Sequence, residues 1–181
     1  DRLRSRGLGD VYKRQVYKNK FLGNRIMNTE GLEMLKHRRS VRKFQTKQIE
    51  TEILNQILEA GTYAPTANGK QQPVIVAVQN ADTVMKIDTI NAKFRKGQEH
   101  PYYGAPTIIL VLSNPETIAP VEDGCLVAGN IMNAAYAVGV GSCWIHFCRE
   151  MFETEDGKNL LKQWGLPKPL PRKKDYIIHV K

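Results

Sequence analysis

The chain is expected to fold as an α+β domain in which a mixed sheet is covered by helices. Two observations predict this. Short β-branched apolar runs at Val74 to Val78 and Thr107 to Leu112 are too brief for helices, and each follows a proline. Around them, longer segments repeat apolar residues at helical spacing, with no internal repeat and no low-complexity stretch.

Asn28 or Thr29 is placed to cap a short helix through Leu32 and Leu35. Glu50 to Ala60 puts Ile53, Leu54, Ile57 and Leu58 on one helical face, with Gly61 as the stop. Ala81 to Lys96 reads as a helix with Val84, Ile87 and Phe94 inward. Asp123 to Val138 is the most apolar helix, lined by Leu126, Val127, Ile131, Ala134, Ala135 and Val138. Its small residues permit close packing in the core or against another subunit. Gly139-Val140-Gly141 ends it, and Ser142 to Phe147 is expected to be a strand. A helix over Phe152 to Trp164 and a closing strand at Tyr176 to Val180 complete a sheet of at least four strands.

A net charge of +9 over 181 residues suggests nucleic acid at first sight. Its distribution argues against that. Residues 1–26 hold eight basic residues against two acidic ones, so the remaining 155 residues carry only +3. Asp1 to Gln15 resembles an adapter-derived leader, so residues 1–26 are expected to be non-native and disordered, with the domain proper over 27–181 from Met27. No apolar stretch is long enough to cross a bilayer, and no signal peptide follows the basic start. The chain reads as cytoplasmic, without a membrane partner. Cys125, Cys143 and Cys148 are odd in number and lack metal-ligand spacing, so reduced thiols are expected and no metal site.

Arg38, Arg39, Ser40 and Arg42 place three guanidinium groups and a hydroxyl within five residues. Guanidinium forks match phosphate oxygens, and a hydroxyl adds a donor without charge. Such a run alone is equally compatible with a solvated basic loop. The loop Ala64 to Pro73 concentrates amides around one ammonium, which suits a heteroaromatic ring with alternating carbonyls and nitrogens. Alone it is also a polar turn. Gly139-Val140-Gly141 is a failed dinucleotide fingerprint, and Gly69-Lys70 lacks the spacing of a P-loop. Tyr102 and Tyr103 can wall a substrate pocket or be ordinary half-buried aromatics.

Taken together, Arg38 to Phe44, Glu59 to Thr66, Tyr103 to Thr107, Glu122 to Gly124, Gly129-Asn130, Gly141 to His146 and Pro171 to Lys173 resemble the FMN-dependent nitroreductase family. The likeness covers nearly everything from Met27 onward. It implies a mainly antiparallel central sheet in a homodimeric FMN-binding fold, with the flavins at the subunit interface. It implies that Arg38, Arg39 and Ser40 hold the FMN phosphate with Arg172, and that Arg42 faces the ribityl chain and the pyrimidine edge. Thr66, Asn68, Lys70 and Gln71 would line the ring, with a backbone donor near His146. The implied activity is ping-pong transfer of electrons from NADH or NADPH to a small acceptor such as a nitroaromatic or a quinone. The flavin carries that chemistry, so no side chain is assigned as catalytic.

The chain departs from this pattern in two places. Gly69 stands where the family places an asparagine, with Asn68 one residue earlier. Pro167 runs almost directly into Lys168-Pro169-Leu170-Pro171-Arg172, where similar proteins carry a further aliphatic strand, so an internal deletion is expected there. That loss makes a flavin-binding remnant without turnover the second reading, ahead of a basic nucleic-acid-binding protein.

Overall fold

A computed structural model of the chain describes residues 29–146 and 148–166, and the backbone of 177–180. The expected leader over 1–26, the junction at Pro167-Lys168 and Arg172 lie outside the described residues. The chain divides into two units, Asp1–Glu33 and Met34–Lys181. The elements in order are α1 (Glu30–His37), α2 (Thr51–Thr62), a 3-10 turn (Ala67–Gly69), β1 (Val74–Val78), α3 (Ala81–Ala92), β2 (Ile108–Leu112), α4 (Pro120–Ala137), α5 (Cys148–Met151), α6 (Glu155–Gln163) and β3 (Ile177–Val180).

β1 is the centre of the larger unit, because its five residues are buried on both faces. It pairs antiparallel with β2, Val74 opposite Leu112 and Val78 opposite Ile108. It pairs parallel with β3, Ile75 opposite Ile177 and Val78 opposite Val180. The sheet is therefore mixed, in the order β2-β1-β3. Alternation along the strand sends side chains into two cores. Val74, Val76 and Val78 meet Ile87 and Ile90 of α3, Ile108 and Leu110 of β2, and Leu160 and Leu161 of α6. Ile75 and Ala77 meet Leu54, Ile57 and Leu58 of α2 and Val127, Ile131 and Ala135 of α4. Each fully buried aliphatic side chain contributes about 1.5 to 3 kcal/mol, so this strand accounts for much of the stability.

Several expectations are corrected. Gly61 does not stop α2 but lies inside it, where a Cβ would stand 2.7 Å from Ile131 Cγ1 and 2.9 Å from Ile75 Cδ1. The glycine allows α2 to approach α4 and β1, and Asn130 Nδ2 donates to Ala60 O at 3.1 Å across that contact. Helix α3 ends at Ala92 rather than Lys96, passing into turns that reach Gly97 at φ 77°. Helix α4 begins at Pro120, which suits a first-turn position whose N–H has no helical partner.

The helix expected over Phe152 to Trp164 is α6, which begins only at Glu155, behind the separate short helix α5 that ends at Met151. Thr154 Oγ1 donates to Met151 O at 2.7 Å and accepts from Gly157 N at 3.1 Å, closing α5 and capping α6 with one hydroxyl. Ser142 to His146 forms no strand; it makes one parallel bridge, Ser142 to Ser40. Among the described residues the sheet thus has three strands rather than four or more. Leu126 on α4 and Val138 just past its end are exposed rather than in the core.

Candidate functional site

The three arginines are restrained in three different ways. Arg39 Nη1 donates to Lys36 O at 2.6 Å and Arg38 O at 2.9 Å, so it satisfies carbonyls at the end of α1. Arg38 is half-buried, and its Nη1 is a buried donor without a hydrogen-bond partner among the described residues. A guanidinium nitrogen withdrawn from water and left unpaired is costly unless an anion meets it. Arg42 is exposed and lies beside Tyr103, whose phenol is held below its ordinary value by Gln98 first and then by Arg42 and Arg95.

The loop carrying them is seated by two contacts. Val41 N donates to Ser142 O at 2.9 Å, extending the Ser40 to Ser142 bridge. Gly141 makes this approach possible, since a Cβ there would stand 3.0 Å from Val41 Cγ2. The arginine cluster and the Ser142 to His146 segment are thus neighbours, and His146 is exposed on that segment. Further on, Gln48 Nε2 donates to Pro106 O at 2.7 Å and Gln79 O at 3.1 Å, fixing the loop against the paired ends of β1 and β2.

The amide loop is shaped from within. Thr66 Oγ1 donates to Gln71 Oε1 at 3.1 Å and accepts from Gln71 N at 2.9 Å, while Gln71 Nε2 donates to Ala64 O at 3.1 Å. Both side chains spend their polar groups on the loop itself. Asn68 (φ 55°) and Gln71 (φ 46°) adopt left-handed backbone that few residues besides glycine and asparagine favour. The side chains of Asn68 and Lys70 are exposed and make no hydrogen bond among the described residues, so their amide and ammonium are the groups available to a ligand. Ala67 N donates to the buried Asp123 Oδ1 at 2.8 Å, anchoring the loop to the first turns of α4.

These anchors separate the two halves of the site. The amide loop is tied to Asp123, near the start of α4. The arginine loop is tied to Ser142, just past its end, where Gly139 at φ 76° lets Val140 N return to Ala135 O at 2.8 Å. From Asp123 to Ala137 the helix rises about 21 Å at 1.5 Å per residue. Between its ends α4 exposes Leu126 and Tyr136, with Val121 and Val138 exposed at the two ends.

A family model matches residues 35–180 of the chain. The chain belongs to the Nitroreductase family. Among nitroreductase relatives, a Methanothermobacter thermautotrophicus protein provisionally named NADH dehydrogenase/NAD(P)H nitroreductase is 29% identical over 131 residues, which is 68% of this chain and 64% of that protein. The chain therefore spans less than two thirds of that relative. A nitroreductase with bound FMN from Bacteroides fragilis superposes with a TM-score of 0.70 at 31% identity, covering 76% of this chain and 81% of the other. Another with bound FMN, from Desulfitobacterium hafniense, gives 0.72 at 22% identity over 80% of this chain and 85% of the other, a likeness of fold alone.

Several residues that build this candidate site are not evident as site residues from sequence. Asp123 and Asn130 appear there only as members of family motifs; the structure shows one holding the amide loop and the other holding α2. Gln48 and Gln79 carry no motif, and only their distance of 31 residues closed by mutual hydrogen bonds identifies them as a clasp.

Proposed function

We propose that the chain is an FMN-dependent oxidoreductase that takes electrons from NADH or NADPH and delivers them to nitroaromatics, quinones or related electron-poor acceptors by a ping-pong mechanism. The observation that carries this reading is Arg38 Nη1, a buried cationic donor without a partner among the described residues, beside an exposed Ser40. An FMN phosphate fits that donor set by charge and by hydrogen-bonding type. When bound, FMN supplies the ring that accepts a hydride and gives the electrons up.

The residues divide the binding work. Arg38 and Ser40 hold the phosphate, with Arg39 at its rim and Arg172 from outside the described residues. Arg42 presents positive charge to the pyrimidine edge, where one preorganised donor is worth about 3 kcal/mol to negative charge developing on the ring. Asn68 and Lys70 supply the further polar contacts, and Thr66 and Gln71 hold the loop that carries them. His146 lies on the segment offering a backbone donor to the ring.

The span of α4 supports a homodimer. About 21 Å of helix separates the anchors of the two loops, which favours a second copy as the source of the amide loop at each phosphate grip. The exposed Leu126 and Tyr136 on the same helix are the apolar surface such a pairing would cover. The three cysteines are free, in keeping with a cytoplasmic protein.

The test is reconstitution with FMN followed by NADH and NADPH oxidation with and without a quinone. Acceptor-dependent oxidation is the expected result. Binding without turnover would leave the flavin-binding remnant, favoured by the junction at Pro167-Lys168, as the better account.

A further inference from the structure

Two glycines follow α4, but ending the helix needs only the first. Gly139, left-handed at φ 76°, donates its N to Tyr136 O at 3.0 Å and turns the chain so that Val140 N reaches Ala135 O at 2.8 Å. Gly141 has no left-handed backbone, so the conformational freedom of glycine is not what this position uses. It uses the missing side chain. A Cβ there would stand 3.0 Å from Val41 Cγ2 and 3.1 Å from both Val41 Cβ and Val41 Cγ1.

The two sides of this contact differ in stiffness. Behind Gly141, Val140 packs against the core that joins α2 and α4, and the hydrogen bonds of Gly139 and Val140 tie the segment to the helix end. Opposite it, Val41 lies on a loop outside any helix or strand, seated by Val41 N to Ser142 O at 2.9 Å and by the Ser40 to Ser142 bridge. A side chain at position 141 would therefore displace the loop rather than the helix end. Val41 stands between Ser40 and Arg42, and Arg38 precedes it by three residues, so the part that would move is the phosphate grip. Ser142 to His146 follows Gly141 on the stiffer side. Binding groups act at full strength only when held within about 0.5 Å of their working position, so a small displacement matters.

We propose that Gly141 is a positioning residue for the phosphate grip: its bare backbone lets Val41 seat the arginine loop on Ser142, which sets where Arg38 and Ser40 meet the phosphate. The proposal rests on the reading that this grip takes the FMN phosphate. It gives the second glycine after α4 a purpose that a helix stop does not supply.

Affinities of the full chain for FMN and riboflavin, which share the ring and differ in the phosphate, separate the grip from the rest of the site. Gly141→Ala should bind FMN about threefold to tenfold more weakly, the weight of one hydrogen bond out of place, and riboflavin unchanged within about twofold. Val41→Ala in the Gly141→Ala background should restore the ratio of the two affinities, because it removes the overlap. Val41→Ile presses on the same contact from the other side and should lower the ratio while Gly141 is kept. An unchanged FMN affinity, equal losses for both flavins, or a loss that Val41→Ala does not recover would overturn the positioning role.

A second readout needs no FMN. Exchange of the residue-41 amide, which donates to Ser142 O, should quicken severalfold in Gly141→Ala and slow again in the double variant. Unchanged exchange would overturn the seat itself. A parent that binds neither flavin would refute the cofactor reading, while amide exchange would still decide whether Gly141 seats the loop.

Discussion

Asp123 Oδ1 accepts the amide of Ala67 at 2.8 Å, joining a buried carboxylate on α4 to the loop that presents Asn68 and Lys70. Hydrogen bonds to charged groups contribute about 1.5 to 3 kcal/mol, so Asp123→Ala should destabilise the chain by about that amount in urea unfolding. Asp123→Asn retains an acceptor oxygen and should lose roughly half as much. Equal stability of Asp123→Ala and the parent would show that the loop stands without this tie.

Gly61→Ala sets two effects in opposition. Alanine favours a helix by about 1 kcal/mol over glycine, but its Cβ would overlap Ile131 and Ile75. Overpacking costs typically 1 to 3 kcal/mol, so a net loss of up to about 2 kcal/mol is expected in urea unfolding. Gly157→Ala should cost more, because its Cβ would meet the rigid backbone carbonyl of Met151 rather than movable side chains. A stabilised Gly61→Ala protein would contradict the close approach of α2 and α4.

Much of this is legible in the sequence where the signal is local. The run Val74 to Val78 declares β1 at its observed bounds, and Leu54, Ile57 and Leu58 mark the buried face of α2 through their spacing alone. Signals that depend on tertiary contact mislead. Gly61 has the composition of a stop but serves a packed interface, and among the described residues the Ser142 to His146 segment finds only Ser40 to pair with. The arginine cluster is visible as a motif, whereas its separation from the amide loop by the length of α4 follows from bonds between residues far apart in sequence.

Arg38→Ala should affect stability and binding in opposite directions. Without a ligand, the substitution removes a buried nitrogen that lacks a partner among the described residues, so the chain should be as stable as the parent or more stable in urea unfolding. A loss of more than about 1 kcal/mol would mean that the guanidinium already has a stabilising role in the ligand-free fold.

Stability should fall at alkaline pH. Burial, the largest cause, pushes both the Tyr102 phenol and the Cys148 thiol above their ordinary values. Such groups contribute fully below the unfolded value and lose that contribution as pH rises through the gap to the folded value. The decline should therefore begin near 9.0 for Cys148 and 10.0 for Tyr102. Tyr103 is shifted the other way, but it lies at the surface among exposed, screened charges, so its opposing effect is minor. Urea midpoints at pH about 8 and about 10.5 should converge in Tyr102→Phe relative to the parent, and an equal drop in both proteins would remove Tyr102 as the cause.

The most direct measurement of the central claim is an FMN titration of the chain and of Arg38→Ala by flavin fluorescence. The parent should bind, and loss of the charged phosphate contact should weaken affinity by about 1.5 to 3 kcal/mol, on the order of 10- to 150-fold. A parent without affinity for FMN, or an Arg38→Ala protein that binds as tightly as the parent, would contradict it.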